Sequence, residues 1–224
     1  MVPASVFPKF SGRRALLATK HGKESAIAPV LLQRLGLRVE VPDFLDTDVL
    51  GTFSGEIPPT GSARERLERK ARLAMEQTDC SLALATEAEF AAHPSQPDVA
   101  FLREWMILLD VDSGEEFVES VDVELVRPLH LETPPDGTIE HFLAAAAFPT
   151  NGLIVRPATG ELTGLIFKGI RNRRVLDLSI QFAANYSDNG LVRLEVDMRA
   201  NQNPGRMEAI RQVTELLATR LRER

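Results

Sequence analysis

Apolar residues in this chain change their spacing from segment to segment, and the changes mark out its elements. Residues 14–19 read as a buried strand, with Ala15, Leu16, Leu17 and Ala18 closed by the polar Thr19. Residues 25–35 carry apolar positions at helical spacing and end at Gly36, a natural helix-stop residue. Pro29 has to sit in the first turn of that helix or bend it. Residues 37–41 read as a second strand, and 43–61, rich in Gly, Pro, Thr and Asp, as a long loop. The next helix is the clearest. Ser62 and Glu65 form the Ser-x-x-Glu pattern of a capping box, and Leu67, Ala71, Ala74 and Met75 give one apolar face. A short strand over 81–85 follows, with Thr86, Glu87, Ala88, Glu89 and Phe90 at its end.

The middle of the chain is richer in strands. Residues 105–111 and 116–126 flank Asp112, Ser113 and Gly114, a hairpin turn. Residues 138–147 read as a helix, 153–155 and 165–167 as short strands, and 175–186 as a helix with a strand left open. Residues 191–198 alternate, with Val192, Leu194, Val196 and Met198 on one side and Arg193, Glu195 and Asp197 on the other. The last helix, 207–221, turns Ile210, Val213, Leu217 and Leu221 inward. Strands alternate with helices, then form hairpins, then alternate again. The expected fold is therefore α/β, a mixed central sheet flanked by helices with a hairpin-rich middle section. The expected organisation is one domain over 1–224 with a loose leader over 1–12.

Composition narrows the function. The net charge of −6 argues against a general nucleic-acid binder, although it leaves room for a local basic cleft. Cys80 is the only cysteine, so no disulfide forms within the chain and no cysteine zinc site is available. No segment reads as a signal peptide or as a span long enough to cross a bilayer, and the expected location is the cytoplasm. The oligomeric state, a homodimer included, is left open.

The chemistry is concentrated in the stretch ALLATKHGKE, residues 15–24. A strand runs into a small basic turn, Thr19, Lys20, His21, Gly22 and Lys23, and then into a helix start. Backbone N–H groups and the helix dipole point the same way in such a turn, and two lysines add charge, so it can gather phosphate oxygens. The glycines are too few for a Walker loop or a dinucleotide fingerprint.

Several segments, ATKHGKE, DTDVLGTFSGE, RKARLAM, NGLIVRP, FKGI and EVDMRANQNPGRM, resemble an uncharacterised bacterial family whose members carry a domain of unknown function. Members of that family often end in a cysteine-rich tail resembling a zinc ribbon, a feature this sequence does not carry. More distantly, the order of motifs resembles the inosine triphosphate pyrophosphatase and Maf-like superfamily. In that likeness Thr19 and Lys23 match a loop, Glu65 and Lys70 a helix pair, Glu87 an acidic strand end, and residues 199–206 a basic segment. The resemblance implies a fold like that of the inosine triphosphate pyrophosphatases and Mg²⁺-dependent cleavage of a small-molecule nucleoside triphosphate. Glu65 and Glu87 would then hold the metal and orient the water. Thr19, Lys20, Lys23, Lys70 and Arg206 would contact phosphate. Asp46, Asp48 and Glu56 in the long loop would complete an acidic cluster.

Each residue also has a plainer reading. Glu65 closes the capping box. Lys20, Lys23 and Lys70 are solvated charges, and Glu87 marks an exposed strand end. Asp197 and Arg199 form an outward-facing pair on a strand. Arg206 decorates the first turn of the last helix, where the dipole opposes a cation. Two functions follow: a diverged nucleotide pyrophosphatase, or a non-catalytic ligand-binding or interaction domain on the same scaffold.

Overall fold

The computed structural model describes residues 9–43, 45, 60–76, 78–92, 100–125, 129–160 and 165–223. The first half builds a sheet from β1 (Arg14–Ala18), β2 (Arg38–Glu40), β3 (Leu82–Ala92), β4 (Ala100–Asp110) and β5 (Glu115–Leu125), in the order β2-β1-β3-β4-β5. β1 pairs in parallel with both β2 and β3, whereas β3, β4 and β5 are antiparallel neighbours. Two crossover helices, α1 (Glu24–Leu35) and α2 (Ala63–Met75), make the parallel connections. The chain thus leaves β1 for β2 on one side and returns for β3 on the other.

Alternation along β1 sorts the core. Ala15 and Leu17 pack with Ile27, Leu31 and Leu35 of α1 and with Ile210, Val213 and Leu217 of the last helix, α5 (Pro204–Arg222). Leu16 and Ala18 face the other way, onto Leu67, Ala71 and Ala74 of α2. Each fully buried leucine or isoleucine contributes about 1.5–3 kcal/mol. α1 stops at Gly36, whose left-handed φ of 68° lets its N–H reach Leu32 O at 3.0 Å. α2 starts at a complete capping box: Ser62 Oγ accepts from the Glu65 N–H, and the Glu65 carboxylate accepts from the Ser62 N–H.

The second half forms a separate four-stranded sheet, β6-β9-β7-β8. Its strands are β6 (His130–Thr133), β7 (Leu153–Pro157), β8 (Phe167–Ile170) and β9 (Val192–Val196). The helices α3 (Glu140–Ala145) and α4 (Arg173–Ala184) belong to this half, and their Phe142, Leu143, Leu176, Ile180 and Ala183 share one core with β7 and β9. Leu102 of β4 and Ala209 of α5 join that core, so the two halves share packing.

Mixed α/β architecture with helices against the sheets follows the expected class, but several details differ from the sequence reading. The strands form two sheets rather than one central sheet, because β6 pairs with β9 across some sixty residues of chain and not with β5. β3 runs through Thr86, Glu87 and Glu89 to Ala92 instead of ending at 85, since β4 keeps it paired along its whole length. α3 is shorter than expected. Within the expected loose leader, Phe10 is buried against Phe117 and Gly12 donates to Gly36 O, while residues 1–8 lie outside the described residues. Asp197 is not an outward-facing residue. It is fully buried and accepts from the Gly169 N–H at 3.0 Å, the Arg199 N–H at 3.1 Å and the Arg199 guanidinium. Those donors replace the water the carboxylate loses.

Candidate functional site

β1 ends early and thereby makes a notch. Its last pair with β3 is Ala18 to Ala85, and β3 continues without a β1 partner through Thr86 and Glu87. Successive residues of a strand point to opposite faces. Thr86 therefore faces α1 and α5, and Glu87 faces α2.

On the first face, Lys23 closes the notch. It is the N-cap residue of α1, it is buried, and its Nζ donates to Thr86 Oγ1 at 2.6 Å. The same Nζ lies 3.9 Å from Glu104 Oε1. Glu104 is fully buried on β4, and its Oε2 accepts from Arg206 Nε at 3.1 Å. Arg206 also donates from Nη1 to Met198 O at 2.6 Å. Its backbone N–H is capped by Asn203 Oδ1 at 3.0 Å, which sets it in the first turn of α5. A cation there is opposed by the helix dipole, and the Glu104 carboxylate offsets that opposition. Glu104 Oε1 itself has no hydrogen-bond partner among the described residues. Burial, reinforced by the nearby Arg206, pushes the Lys23 ammonium down to about 7 from the ordinary 10.5, against the opposing pull of Glu104.

On the second face, Glu87 accepts from Arg66 Nε at 2.6 Å and from Lys70 Nζ. Arg66 and Lys70 stand one turn apart on α2. Burial alone would raise the Glu87 carboxyl, but Lys70 and Arg66 hold it below the usual carboxylate range. Lys23 also feels the charges of Lys70 and Glu87, so the two faces share one electrostatic environment.

Three helix starts open on this end of the sheet. α1 and α2 run against the parallel strands they connect, so both begin beside the carboxyl ends of those strands. α5 lies alongside α1 in the same direction. Ser25 and Ala26 share a groove with Pro204 and Met207, and Arg34 pairs with Glu215 farther along. Four cations, Lys23, Arg66, Lys70 and Arg206, here face two carboxylates, Glu87 and Glu104. The notch is also the point where the connections leave β1 in opposite directions, and in open α/β sheets ligands bind in such crevices.

Of the residues singled out in the sequence, Lys23, Lys70, Glu87 and Arg206 lie around this notch. Thr19 and Lys20 lie in the loop that borders it. Thr19 is buried, with its Oγ1 accepting from the His21 N–H at 3.4 Å, and Lys20 is exposed. Glu65 is exposed, and its carboxylate is taken up by Ser62. Asp46, Asp48 and Glu56 lie outside the described residues. Thr86, Glu104 and Arg66 complete the arrangement and were not singled out. Glu104 carried a readable signal: it falls in the inward phase of Leu102, Met106 and Leu108, where a carboxylate requires partners.

Among the described residues, the donor set does not suit Mg²⁺. That ion demands near-octahedral oxygen ligation. Both Glu87 oxygens accept from cations, Glu65 is engaged at its cap, and the described residues contain no group of three His, Cys, Asp or Glu side chains able to hold a metal.

Comparison with known proteins adds three findings. The family model of a domain of unknown function (DUF6671) matches residues 70–223, a stretch that includes Lys70, Glu87, Glu104 and Arg206. No curated protein matches the sequence. Among solved structures, protein VC0702 from Vibrio cholerae is similar over 52% of this chain and 66% of its own length, with 14% identity and a TM-score of 0.36.

Proposed function

This chain belongs to the family defined by the domain of unknown function DUF6671, and from that premise we propose that it binds a phosphate-bearing small molecule, of the nucleotide class, at the carboxyl end of β1. The observation that carries this reading is the buried Lys23, held by Thr86 and sharing Glu104 with Arg206. Buried cations are costly unless an anion neutralises them. With Lys23 protonated, two carboxylates offset four cations only in part, and the starts of α1, α2 and α5 add positive potential at the same end. A dianionic phosphate supplies the missing charge and several acceptor oxygens. The basic turn from Thr19 to Lys23 borders the notch and adds the charge of Lys20.

Binding without metal-assisted hydrolysis is the form of the proposal that the donor set favours. Arg66 and Lys70 occupy the Glu87 carboxylate that a pyrophosphatase would give to its metal. The resemblance to the pyrophosphatase superfamily supports the nucleotide class of the ligand rather than the reaction.

Titration calorimetry and thermal shift with inorganic phosphate, pyrophosphate and nucleoside mono-, di- and triphosphates test the proposal. A ligand that binds only the native state raises its stability. Phosphate-bearing compounds are expected to bind, Lys20→Ala to weaken binding, and Lys23→Met to abolish it. No binding by any of these compounds to the folded protein overturns the proposal. Release of pyrophosphate from a nucleoside triphosphate in the presence of Mg²⁺ would restore the hydrolytic reading in its place.

A further inference from the structure

α4 is apolar on two sides. Leu176, Ile180 and Ala183 face the core of the second sheet, at the spacing of an inward helix face. A second row, Val175, Leu178, Phe182 and Tyr186, stands in solvent at 50%, 63%, 46% and 55% exposure. At helical pitch Val175, Leu178 and Phe182 fall within an arc of roughly 60°, and Tyr186 follows just past the helix end. Phe182 ties the row together: its ring meets Tyr186 at 5.1 Å between centroids and Phe167 of β8, an edge strand, edge-on at 5.8 Å. Scattered exposed leucines need no explanation, but a continuous aromatic and aliphatic row does.

The charges at its two ends identify what covers it. Arg174 stands exposed in the first turn of α4, and Asp188 stands exposed just beyond its end. Neither makes an ion pair or hydrogen bond with another described residue. α4 has no acidic residue in its first turn and no basic residue in its last, so both ends of its dipole lack a compensating side-chain charge of its own. The midpoint between Arg174 and Asp188 is Gln181, and the apolar row from Val175 to Tyr186 is centred beside it.

We propose that the outer row of α4 is a two-fold interface between two copies of this chain, packed antiparallel about Gln181. In that arrangement Arg174 of each copy faces Asp188 of the other, Val175 faces Tyr186, and the Leu178 and Phe182 side chains meet at the centre. The patch is self-complementary, as an isologous contact must be. The antiparallel helices also set each positive helix start against the other's negative end. One helix row with Phe167 beside it lies at the small end of specific interfaces, so the association is reversible and concentration-dependent.

Sedimentation velocity and light scattering on the full chain over a wide concentration range read the result. A monomer–dimer equilibrium is expected. Phe182→Asp should weaken it roughly tenfold or more while circular dichroism keeps the wild-type signature of the fold. Arg174→Glu and Asp188→Arg should each weaken it, and the two together should restore it. A monomer at every concentration overturns the proposal, as does a dimer indifferent to Phe182→Asp or a charge exchange that fails to rescue. The readout is mass and is independent of ligand, so it stands apart from the phosphate test.

Discussion

The Lys23 Nζ donates to Thr86 Oγ1 at 2.6 Å, joining the start of α1 to the unpaired stretch of β3 across 63 residues of chain. The contact holds an ammonium where water is excluded, and its pKa falls to about 7 from 10.5 as a result of burial. The sign of the linkage follows. Between pH 7 and 10.5 the unfolded chain binds more protons at this site than the folded one, so Lys23 makes the protein more stable as pH rises through that window. Below pH 7 the lysine is charged in both states and the full cost of burying it is present. The slope is up to about 1.4 kcal/mol per pH unit. Urea unfolding of wild type and Lys23→Met across this range should show the wild type gaining on the variant as pH rises. Parallel curves would rule out a buried, half-neutral lysine.

Anion binding at the notch should take up a proton. Near pH 7.5 part of the Lys23 population is neutral, and a negative ligand beside it restores the charge. Affinity is therefore expected to fall as pH rises above 7. Sulfate is the cleaner probe, since it has no proton of its own to exchange in this range. Calorimetry in buffers of different ionisation enthalpy should give a fractional uptake for wild type. An uptake of zero, with binding intact, would remove Lys23 from the ligand's surroundings.

Glu104→Gln tests how the buried cluster is balanced. The carboxylate sits between Lys23, 3.9 Å away, and Arg206, 3.1 Å away. An amide of the same shape leaves both cations without their counter-charge. Breaking one partner of a buried pair costs about 3–5 kcal/mol. A loss of that size is expected in chemical denaturation, with Lys23 titrating still lower because the one carboxylate that most raises its pKa is gone. A neutral effect on stability would show that water or a ligand already serves Arg206.

The legible parts of this chain were those fixed by local periodicity. α2 announced itself through Ser62, Glu65 and the Leu67–Ala71–Ala74 face, and α1 through Gly36, because caps and apolar faces depend on residues three or four apart. Long-range pairing was not legible. Nothing near His130 says that it will lie opposite Glu195, and the division into two sheets turns on that choice. Glu87 and Glu89 read as a strand end because acidic residues are rare inside strands, yet Arg66, Lys70 and the Trp105 Nε1–H sustain them there. Asp197 has the period of an outward residue and is buried all the same. Its donors come from Arg199, two residues on, and from Gly169 of β8, which only the folded chain brings alongside. The notch combined both cases: its lysines were visible in the sequence and Glu104 showed an inward phase, whereas the pairing of Glu104 with Lys23 and Arg206 was hidden by distance.

Glu65 separates a structural role from a chemical one. Its carboxylate accepts from the Ser62 N–H at 2.7 Å while Ser62 Oγ accepts from the Glu65 N–H at 3.2 Å. The Ser62 N–H, the largest cause, and the Ser62 hydroxyl, which donates to the same carboxylate at 3.0 Å, lower the Glu65 pKa. The carboxylate is fully exposed and paired at its own cap, so Glu65→Ala and Ser62→Ala should act alike. Both should destabilise the start of α2, and Ser62→Ala by about 1 kcal/mol, the usual cost of losing an N-cap side chain. The destabilisation by Glu65→Ala should fade as pH falls, because a lowered pKa gives stability that is present above the unfolded value and lost on protonation. Neither variant should change the affinity for phosphate or sulfate, in contrast with Lys23→Met. Thermal unfolding and calorimetry on the same samples give both readings. If Glu65→Ala abolished ligand binding while Ser62→Ala left it intact, the carboxylate would belong to the site and the capping role would be incidental.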